Sequence, residues 1–98
     1  MDFGEAIRAL KAGAKVAREG WNGKGMFLYY VPEGRYPART EVAKKEWGEN
    51  ALVPYQPYIA MRTVQGTVVP WLASQTDVLA EDWEHGFLRA LWAIQRSS

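Results

Sequence analysis

Cysteine is absent from this 98-residue chain, which excludes both a disulfide framework and a thiolate metal site. Histidine is nearly absent: the chain has one, His85, and a single histidine among scattered carboxylates makes a poor metal site. A surplus of one charge sign is also missing, because 12 basic residues face 11 acidic ones. The strong positive field of a non-specific nucleic-acid binder is therefore excluded. We expect no metal, no cofactor and no nucleic-acid polymer as partner.

Long apolar runs are missing as well. No stretch approaches the roughly 20 apolar residues that cross a bilayer, and the first residues lack a signal-peptide pattern. We therefore expect a cytoplasmic protein without membrane contact. A chain of this length has room for one core, so residues 1–98 are expected to form a single ligand-binding domain. Such a core is marginal on its own, which favours a homo-oligomer.

Aromatic residues are abundant, with five tryptophans, five tyrosines and three phenylalanines. Tryptophan and tyrosine combine a broad apolar face with one polar atom, so they suit stacking sites as well as cores. Two segments place them beside glycine or polar residues: GWNGKGMFLYY at residues 20–30 and VPWLASQTDVLAEDW at residues 69–83. We expect these segments to be counterparts in one site, with core packing as the alternative for any single ring.

The apolar periodicity predicts an α+β fold. A capping box over residues 2–5 and an apolar helical face predict a helix over residues 3–12. The elements predicted after it are strands at 14–18 and 26–31, a hairpin joining 58–64 to 67–71 through the two-residue turn Gln65-Gly66, a helical turn from Ser74 through Ala80, a short strand at 82–84 and a helix from Phe87. The expected architecture is a small antiparallel sheet with an N-terminal helix, a short helix after the hairpin and a C-terminal helix.

The middle of the chain carries most of the breakers. Four of the five prolines lie within residues 32–57, which predicts a variable loop insertion. Thr40 can cap one or two helical turns over residues 40–47. A structureless insertion of this length is usually functional or mobile, so we expect a flap or an oligomer contact. Residues 84–98 are expected to form a C-terminal helical extension.

The first aromatic segment places Trp21 between Gly20 and Asn22. Glycines beside an indole let the backbone approach a ligand, and a base that stacks on the ring gains about 1–3 kcal/mol. Alternatively, Trp21 covers the core beneath a turn. Arg18 and Lys24 either supply positive charge to phosphates or are solvated charges at a strand edge. The spacing is not a P-loop, because no GK[ST] ending follows.

The second segment places Trp71 before a polar turn that contains Ser74, Gln75, Thr76 and Asp77. Free amides at a helix start favour anions, and Asp77 can accept hydrogen bonds from ribose hydroxyls or a base amino group. The alternative is a satisfied helix cap without a ligand.

Catalysis has little support in the sequence, and we predict no catalytic residue. A glycosidase or nucleosidase needs two suitably separated carboxylates, for which Asp77 with Asp82 or Glu81 is the candidate pair. His85 has no cysteine and no evident serine partner for a triad. A hydrolase that cleaves a nucleotide or glycan is therefore the alternative to a binding protein. A structural or carbohydrate-binding module is a third class.

Several strings occur in an order that resembles the second family of phage Thoeris anti-defence proteins: AREGWNGKGMFL, PYIAM and VPWLASQTDVLAEDW. The resemblance runs from about residue 3 to residue 83 and is broken by the variable middle. It implies a non-enzymatic "sponge" that binds cyclic ADP-ribose derivatives made by bacterial TIR-domain proteins, and in some members cyclic dinucleotides. It also implies a small α+β protomer in a homotetramer, with ligand pockets between subunits.

The resemblance further implies which residues line the pocket. Carried over by motif position, these are Trp21, Asn22 and Phe27 from the first segment and Trp71, Ser74, Gln75 and Asp77 from the second. The protein would act in the cytoplasm of the infected bacterial host and release its ligand unaltered. Family members often stop soon after the AEDW string, whereas this chain continues to Ser98.

Overall fold

The structure, a computed structural model, describes residues 1–21 and 25–85. Their elements are, in order, α1 Phe3–Lys11, β1 Val16–Arg18, a 3₁₀ turn Glu19–Trp21, β2 Phe27–Val31, β3 Gly34–Pro37, α2 Glu41–Trp47, β4 Leu52–Tyr55, β5 Tyr58–Arg62, β6 Val68–Pro70, α3 Gln75–Leu79 and β7 Trp83–His85. The predicted α+β class is confirmed. The predicted C-terminal helix from Phe87 lies outside the described residues.

Helix α1 forms where its capping box predicts it. The Asp2 carboxylate accepts a hydrogen bond from the Glu5 amide at 2.8 Å, and the Glu5 carboxylate accepts one from the Asp2 amide at 3.4 Å. Ala6 and Leu10 are buried on the face that packs against the sheet. The helix ends before Gly13, whose φ of 98° is the left-handed conformation that glycine adopts without strain. Local signals therefore determine both ends of α1.

Five strands form an antiparallel sheet in the order β6-β5-β2-β1-β7. Residues directly opposite each other share a face, so the register places Val16, Leu28 and Met61 on the side that carries α1. The core on this side consists of Ala6, Leu10, Val16, Leu28 and Trp83. Full burial of each large apolar side chain stabilises the fold by about 1.5–3 kcal/mol.

The hairpin between β5 and β6 confirms the predicted chain reversal but has a three-residue loop. The Thr63 amide donates to the Thr67 carbonyl at 2.8 Å, and the Gly66 amide donates to the Thr63 carbonyl at 3.0 Å. Gly66 has a φ of 87°, as expected for a type I turn followed by a glycine bulge. Pro70 lies in β6 at the edge of the sheet, where its missing amide donor is tolerated.

The prediction of a loop at residues 32–57 is wrong, because this stretch contains a second antiparallel sheet and a helix. Strand β3 pairs with β4, and α2 lies between them in sequence; we call residues 34–55 the arm. Thr40 caps α2 as predicted, since its hydroxyl accepts from the Ala43 amide at 3.1 Å. Pro37 and Pro54 suggested a loop, yet a two-stranded ladder has two edges and tolerates proline.

Candidate functional site

Four aromatic rings from distant parts of the chain meet beside α1. Trp83 is 2% exposed and lies at the centre. Trp21 packs edge-on against it with ring centroids 5.6 Å apart, and Trp71 does so at 5.9 Å. Phe3 contacts both Trp71 and Trp83. We call these four residues the tryptophan corner; it brings the two aromatic segments of the sequence together.

The two outer indoles are each half-buried. Each packs on Trp83 and retains part of its surface in contact with solvent. Edge-to-face aromatic pairs contribute about 0.5–1.5 kcal/mol beyond the area that they bury, so these contacts hold Trp21 and Trp71 in place. The alternative for Trp21 is confirmed, because its ring packs against the core. Its remaining accessible surface leaves ligand stacking a prediction.

Trp83 itself was missing from the predicted site residues. Its indole nitrogen donates a hydrogen bond to the Asp77 carbonyl at 3.0 Å, which ties β7 to α3. In the sheet register Trp83 lies opposite Arg18 of β1. An available signal was its position in the AEDW string, but only the folded chain shows that both outer indoles pack on it.

Arg18 holds two carboxylates. Its Nη1 donates to Asp77 Oδ1 at 3.0 Å and its Nε donates to Asp82 Oδ1 at 2.9 Å. The hydrogen bond to Asp82 raises the pKa of the Arg18 guanidinium most, and the hydrogen bond to Asp77 raises it further. Arg18 is therefore a partly buried ion-pair centre rather than a solvated charge. Its partners lie 59 and 64 residues away in sequence, so no local pattern could identify them.

Asp77, beside the tryptophan corner, accepts hydrogen bonds on both of its carboxylate oxygens. Burial acts to raise the pKa of its carboxyl, but hydrogen bonds from Ser74 and Arg18 outweigh burial and hold the pKa below its usual value. Oδ2 accepts from the Ser74 amide at 3.1 Å and from the Ser74 hydroxyl at 2.9 Å, while Oδ1 accepts from Arg18. Asp77 is thus ionised at neutral pH, and each of its oxygens already accepts hydrogen bonds within the chain.

Ser74 and Asp77 form a complete capping box at the start of α3, because the Ser74 hydroxyl also accepts from the Asp77 amide at 3.0 Å. The capping interpretation of this turn is confirmed. Ser74 and Gln75 are both exposed on the surface beside the corner. A ligand contact at these two residues stays a prediction.

Phe27 lies on the opposite face of the sheet from the indoles. Its neighbour Leu28 belongs to the core beside α1, and adjacent strand residues point to opposite faces. Phe27 instead contacts Tyr29, at 6.0 Å between ring centroids, and lies 4.6 Å from the Lys15 ammonium. Within the chain it is not brought together with Trp21 and Trp71. Asn22 and Lys24 lie outside the described residues.

Hydrogen bonds fix the chain at Glu19, where the turn to Trp21 begins, and at Gly25. The Glu19 amide donates to the Asp82 carbonyl at 3.1 Å. Arg62 Nη1 donates to the Gly25 carbonyl at 2.7 Å. Gly25 has a φ of 73°, the left-handed conformation that favours glycine.

An open groove of about 680 Å³ separates the arm from the five-stranded sheet. Its lining is mainly tyrosine and proline with one guanidinium: Val31, Pro32, Tyr36, Pro37, Arg39, Thr40, Ala43, Tyr55, Tyr58 and Pro70. The described candidate residues of the sequence analysis do not line it. The groove was missed because its outer wall belongs to the arm, which was expected to be loop.

The described part of the chain holds no group of three or more histidines or carboxylates placed to bind a metal ion. Within the same residues no helix is long and apolar enough to cross a membrane. The candidate hydrolase pair, Asp77 and Asp82, is bridged by one arginine. A general acid needs a raised pKa, whereas that of Asp77 is lowered. The described residues thus offer a fixed aromatic surface, and Asp77 is not in the protonation state of a general acid.

The structure defines a small α+β domain whose aromatic corner lies between the turn Glu19–Trp21 and helix α3. Residues 1–85 match the family model of the Thoeris anti-defense 2-like domain. The protein "Thoeris anti-defense 2" of Bacillus phage SP01 is 38% identical over 84 residues, which cover 86% of this chain and 92% of that protein. The chain therefore belongs to the Thoeris anti-defence 2 family.

Proposed function

We propose that this protein is a phage anti-defence protein that binds a cyclic nucleotide immune signal in the cytoplasm of the infected host and sequesters it uncleaved. Cyclic ADP-ribose isomers are the expected ligands, and cyclic dinucleotides are further candidates. The observation that carries the proposal is the pair of half-buried indoles fixed on Trp83 in a member of an anti-defence family.

The geometry suits a planar base. Trp21 and Trp71 are held by edge contacts, so little side-chain entropy remains to be lost when a ring stacks on either of them. Stacking of a base on an aromatic side chain contributes about 1–3 kcal/mol. The exposed Ser74 and Gln75 beside the corner supply polar groups for the rest of the ligand.

Binding without cleavage is supported by the state of the carboxylates. Asp77 and Asp82 both accept from Arg18, and Asp77 is further engaged by Ser74. A trap works by mass action, because bound signal is withdrawn from its effector in proportion to the concentration and affinity of the trap. Turnover is not required.

We further propose that copies of this chain associate, as a homotetramer, through the surface beside the corner. Leu72, next to Trp71, is 91% exposed, and Leu79 at the end of α3 is 78% exposed. Leu72 precedes α3 in sequence and Leu79 ends it, and large apolar side chains left in solvent are typical of an interface when they form one patch. Phe27, on the far face of its own sheet, can join such a pocket only when a second copy contributes it.

Sedimentation velocity tests this assembly. We expect a tetramer at micromolar concentration and a smaller species for Leu72→Asp, while Val42→Asp, on the exposed face of α2, tests whether the arm is an oligomer contact instead. A wild-type monomer at this concentration would contradict the proposed assembly.

The trap itself is tested by recovery of ligand. The protein is incubated with a cyclic ADP-ribose isomer, separated from free ligand, denatured by heat, and the released small molecules are identified by mass spectrometry. We expect intact ligand. Recovery of a hydrolysed product that accumulates with time and is lost in Asp77→Asn would instead support the hydrolase.

The indoles are tested by calorimetry. Trp21→Ala and Trp71→Ala should each weaken binding by more than about 1 kcal/mol, on the stacking estimate. Trp47→Ala in the arm is the matched control, since it removes an indole that is 50% exposed and far along the chain from the corner. Unchanged affinity in both corner variants would refute stacking at this site.

A further inference from the structure

We propose that Arg18 is a positioning residue for the tryptophan corner: by binding Asp77 and Asp82 together it sets the placement of the indoles that face the ligand. The inference rests on the proposed function and deepens it, because it states what holds that site in its binding geometry. It also reassigns Arg18 from a possible phosphate contact to a support of the site.

The first observation is the geometry of the guanidinium. Arg18 uses two different nitrogens, Nη1 for Asp77 and Nε for Asp82, at 3.0 and 2.9 Å. All three side chains are partly buried, so solvent screens these contacts less than it would at a free surface. The planar fork of arginine suits this double contact, and the single ammonium of lysine does not reproduce it.

The second observation is that each of the two aspartates also accepts, at its backbone carbonyl, a hydrogen bond that connects it to an indole of the corner. The backbone carbonyl of Asp77 accepts the indole N–H of Trp83, on which both outer rings pack. The backbone carbonyl of Asp82 accepts from Glu19, the first residue of the turn that ends at Trp21. Arg18 is thus connected to Trp83 through α3 and to Trp21 through the residue before β7.

The third observation concerns chain topology. Helix α3 has five residues and no buried residue of its own, so little packing holds it to the sheet. The contacts to Arg18 and Trp83 connect its residue Asp77 to the strands. Loss of Arg18 would free the start of α3, and with it the segment that follows Trp71.

A rival role, in which Arg18 itself contacts a ligand phosphate, makes a different prediction. If Arg18 acts through Asp77, removal of either partner breaks the same contact, and the double variant loses no more affinity than the worse single variant. If Arg18 also contacts the ligand directly, part of its loss is independent of Asp77, and the double variant binds more weakly than the worse single variant. A double-mutant cycle separates these cases.

The cycle is measured by calorimetry with cyclic ADP-ribose on Arg18→Gln, Asp77→Asn and the double variant. We expect each single variant to lose about tenfold in affinity and the double variant to lose no more. Arg18→Lys should recover part of the loss, because it restores the charge without the fork. Arg35→Gln, an exposed arginine in β3 of the arm, is the matched control and should bind as the wild type does. A double variant that binds more weakly than the worse single variant, or no loss at all, would overturn the inference.

A second measurement needs no ligand. The indole N–H resonance of Trp83 is followed by ¹⁵N–¹H NMR, together with those of Trp21 and Trp71. We expect all three signals to shift in Arg18→Gln and in Asp82→Asn, which removes one of the two contacts, and to stay in place in Arg35→Gln. Asp82→Asn alone carries the test if Arg18→Gln does not fold.

The two measurements distinguish two failures. Wild-type protein that binds neither a cyclic ADP-ribose isomer nor a cyclic dinucleotide, while the indole signals respond to Arg18, would refute the proposed function and support the positioning role. If the indole signals shift neither in Arg18→Gln nor in Asp82→Asn, the positioning role is overturned, whatever the protein binds.

Discussion

The tryptophan corner and the arm contain the same kinds of residue but are held in different ways. In the corner Trp83 is 2% exposed and joins side chains from both halves of the described chain. In the arm Trp47 is 50% exposed, and α2 has no buried residue. The arm has only Ala38 and Val53 among the buried apolar residues. Residue type alone therefore does not say whether a tryptophan forms core or surface.

This difference has an energetic consequence. The corner gains its stability from apolar burial and from contacts between distant segments, whereas the arm relies on a four-residue ladder and one helix cap. An isolated two-stranded hairpin is marginal in water. We infer that the corner unfolds with the whole sheet, and that the arm opens at a lower free energy.

The largest expected effect is that of Trp83→Ala. Removal of a fully buried aromatic side chain leaves a cavity and lowers the free energy of unfolding by about 3–5 kcal/mol. The matched change in the arm, Trp47→Ala, should lower it by about 0.5 kcal/mol or less, as is usual for exposed side chains. Urea denaturation measures both. Equal losses would mean that the contrast between the two regions is wrong.

The next effect comes from the ion pairs. Asp77→Asn removes a partly buried, charge-assisted contact to Arg18 and should cost about 1.5–3 kcal/mol at neutral pH. Glu41→Gln removes the arm's pair with Lys44, in which Glu41 is 83% exposed, and should cost less than about 0.5 kcal/mol.

The stabilisation that Asp77 provides should depend on pH. The folded-state pKa of Asp77 is lowered, so its stabilisation is present above the unfolded-state pKa and is lost as the pH falls through the folded-state pKa. The unfolding free energies of wild type and Asp77→Asn should therefore converge as the pH falls below the usual range of an aspartate. A difference that stays constant down to strongly acid pH would contradict the role assigned to this carboxylate.

The smallest expected effects are the losses of stability when the caps of α3 and α2 are removed. Ser74→Ala should cost about 1–2 kcal/mol, because Ser74 both caps α3 and donates to the carboxylate that binds Arg18. Thr40→Ala removes a cap from an exposed helix and should cost about 0.5–1 kcal/mol. Thermal unfolding of both variants checks the order. A larger loss for Thr40→Ala would show that the arm contributes more to global stability than its burial indicates.

Local signals explain what could be predicted of the fold. The capping box at Asp2 and the capping spacing of Ser74 and Asp77 act over three residues, and the β-prone run of residues 26–31 predicts β2 from adjacent residues. Both depend on the sequence of one element and were confirmed. The arm was not predicted, because β3 and β4 carry prolines and pair across the whole of α2.

The candidate site likewise contains residues that the sequence predicted and residues that only the structure revealed. Trp21 and Trp71 were selected from their segments, and the structure places both on Trp83. Phe27 was selected from the same string as Trp21 but lies on the other face, although the alternation of β2 with Leu28 in the core contained this information. Arg18 was given a solvent or phosphate role because its partners are remote in sequence.

By itself the amino-acid sequence determined the α+β class, the helix caps, most of the main-sheet strands and the two aromatic segments, since these depend on residues a few positions apart. Only the tertiary structure decided that Trp83 lies between the outer indoles, that Arg18 binds Asp77 and Asp82, and that residues 34–55 fold as an arm. These features depend on contacts between distant segments, whose free energy appears only when the sheet register brings the partners together.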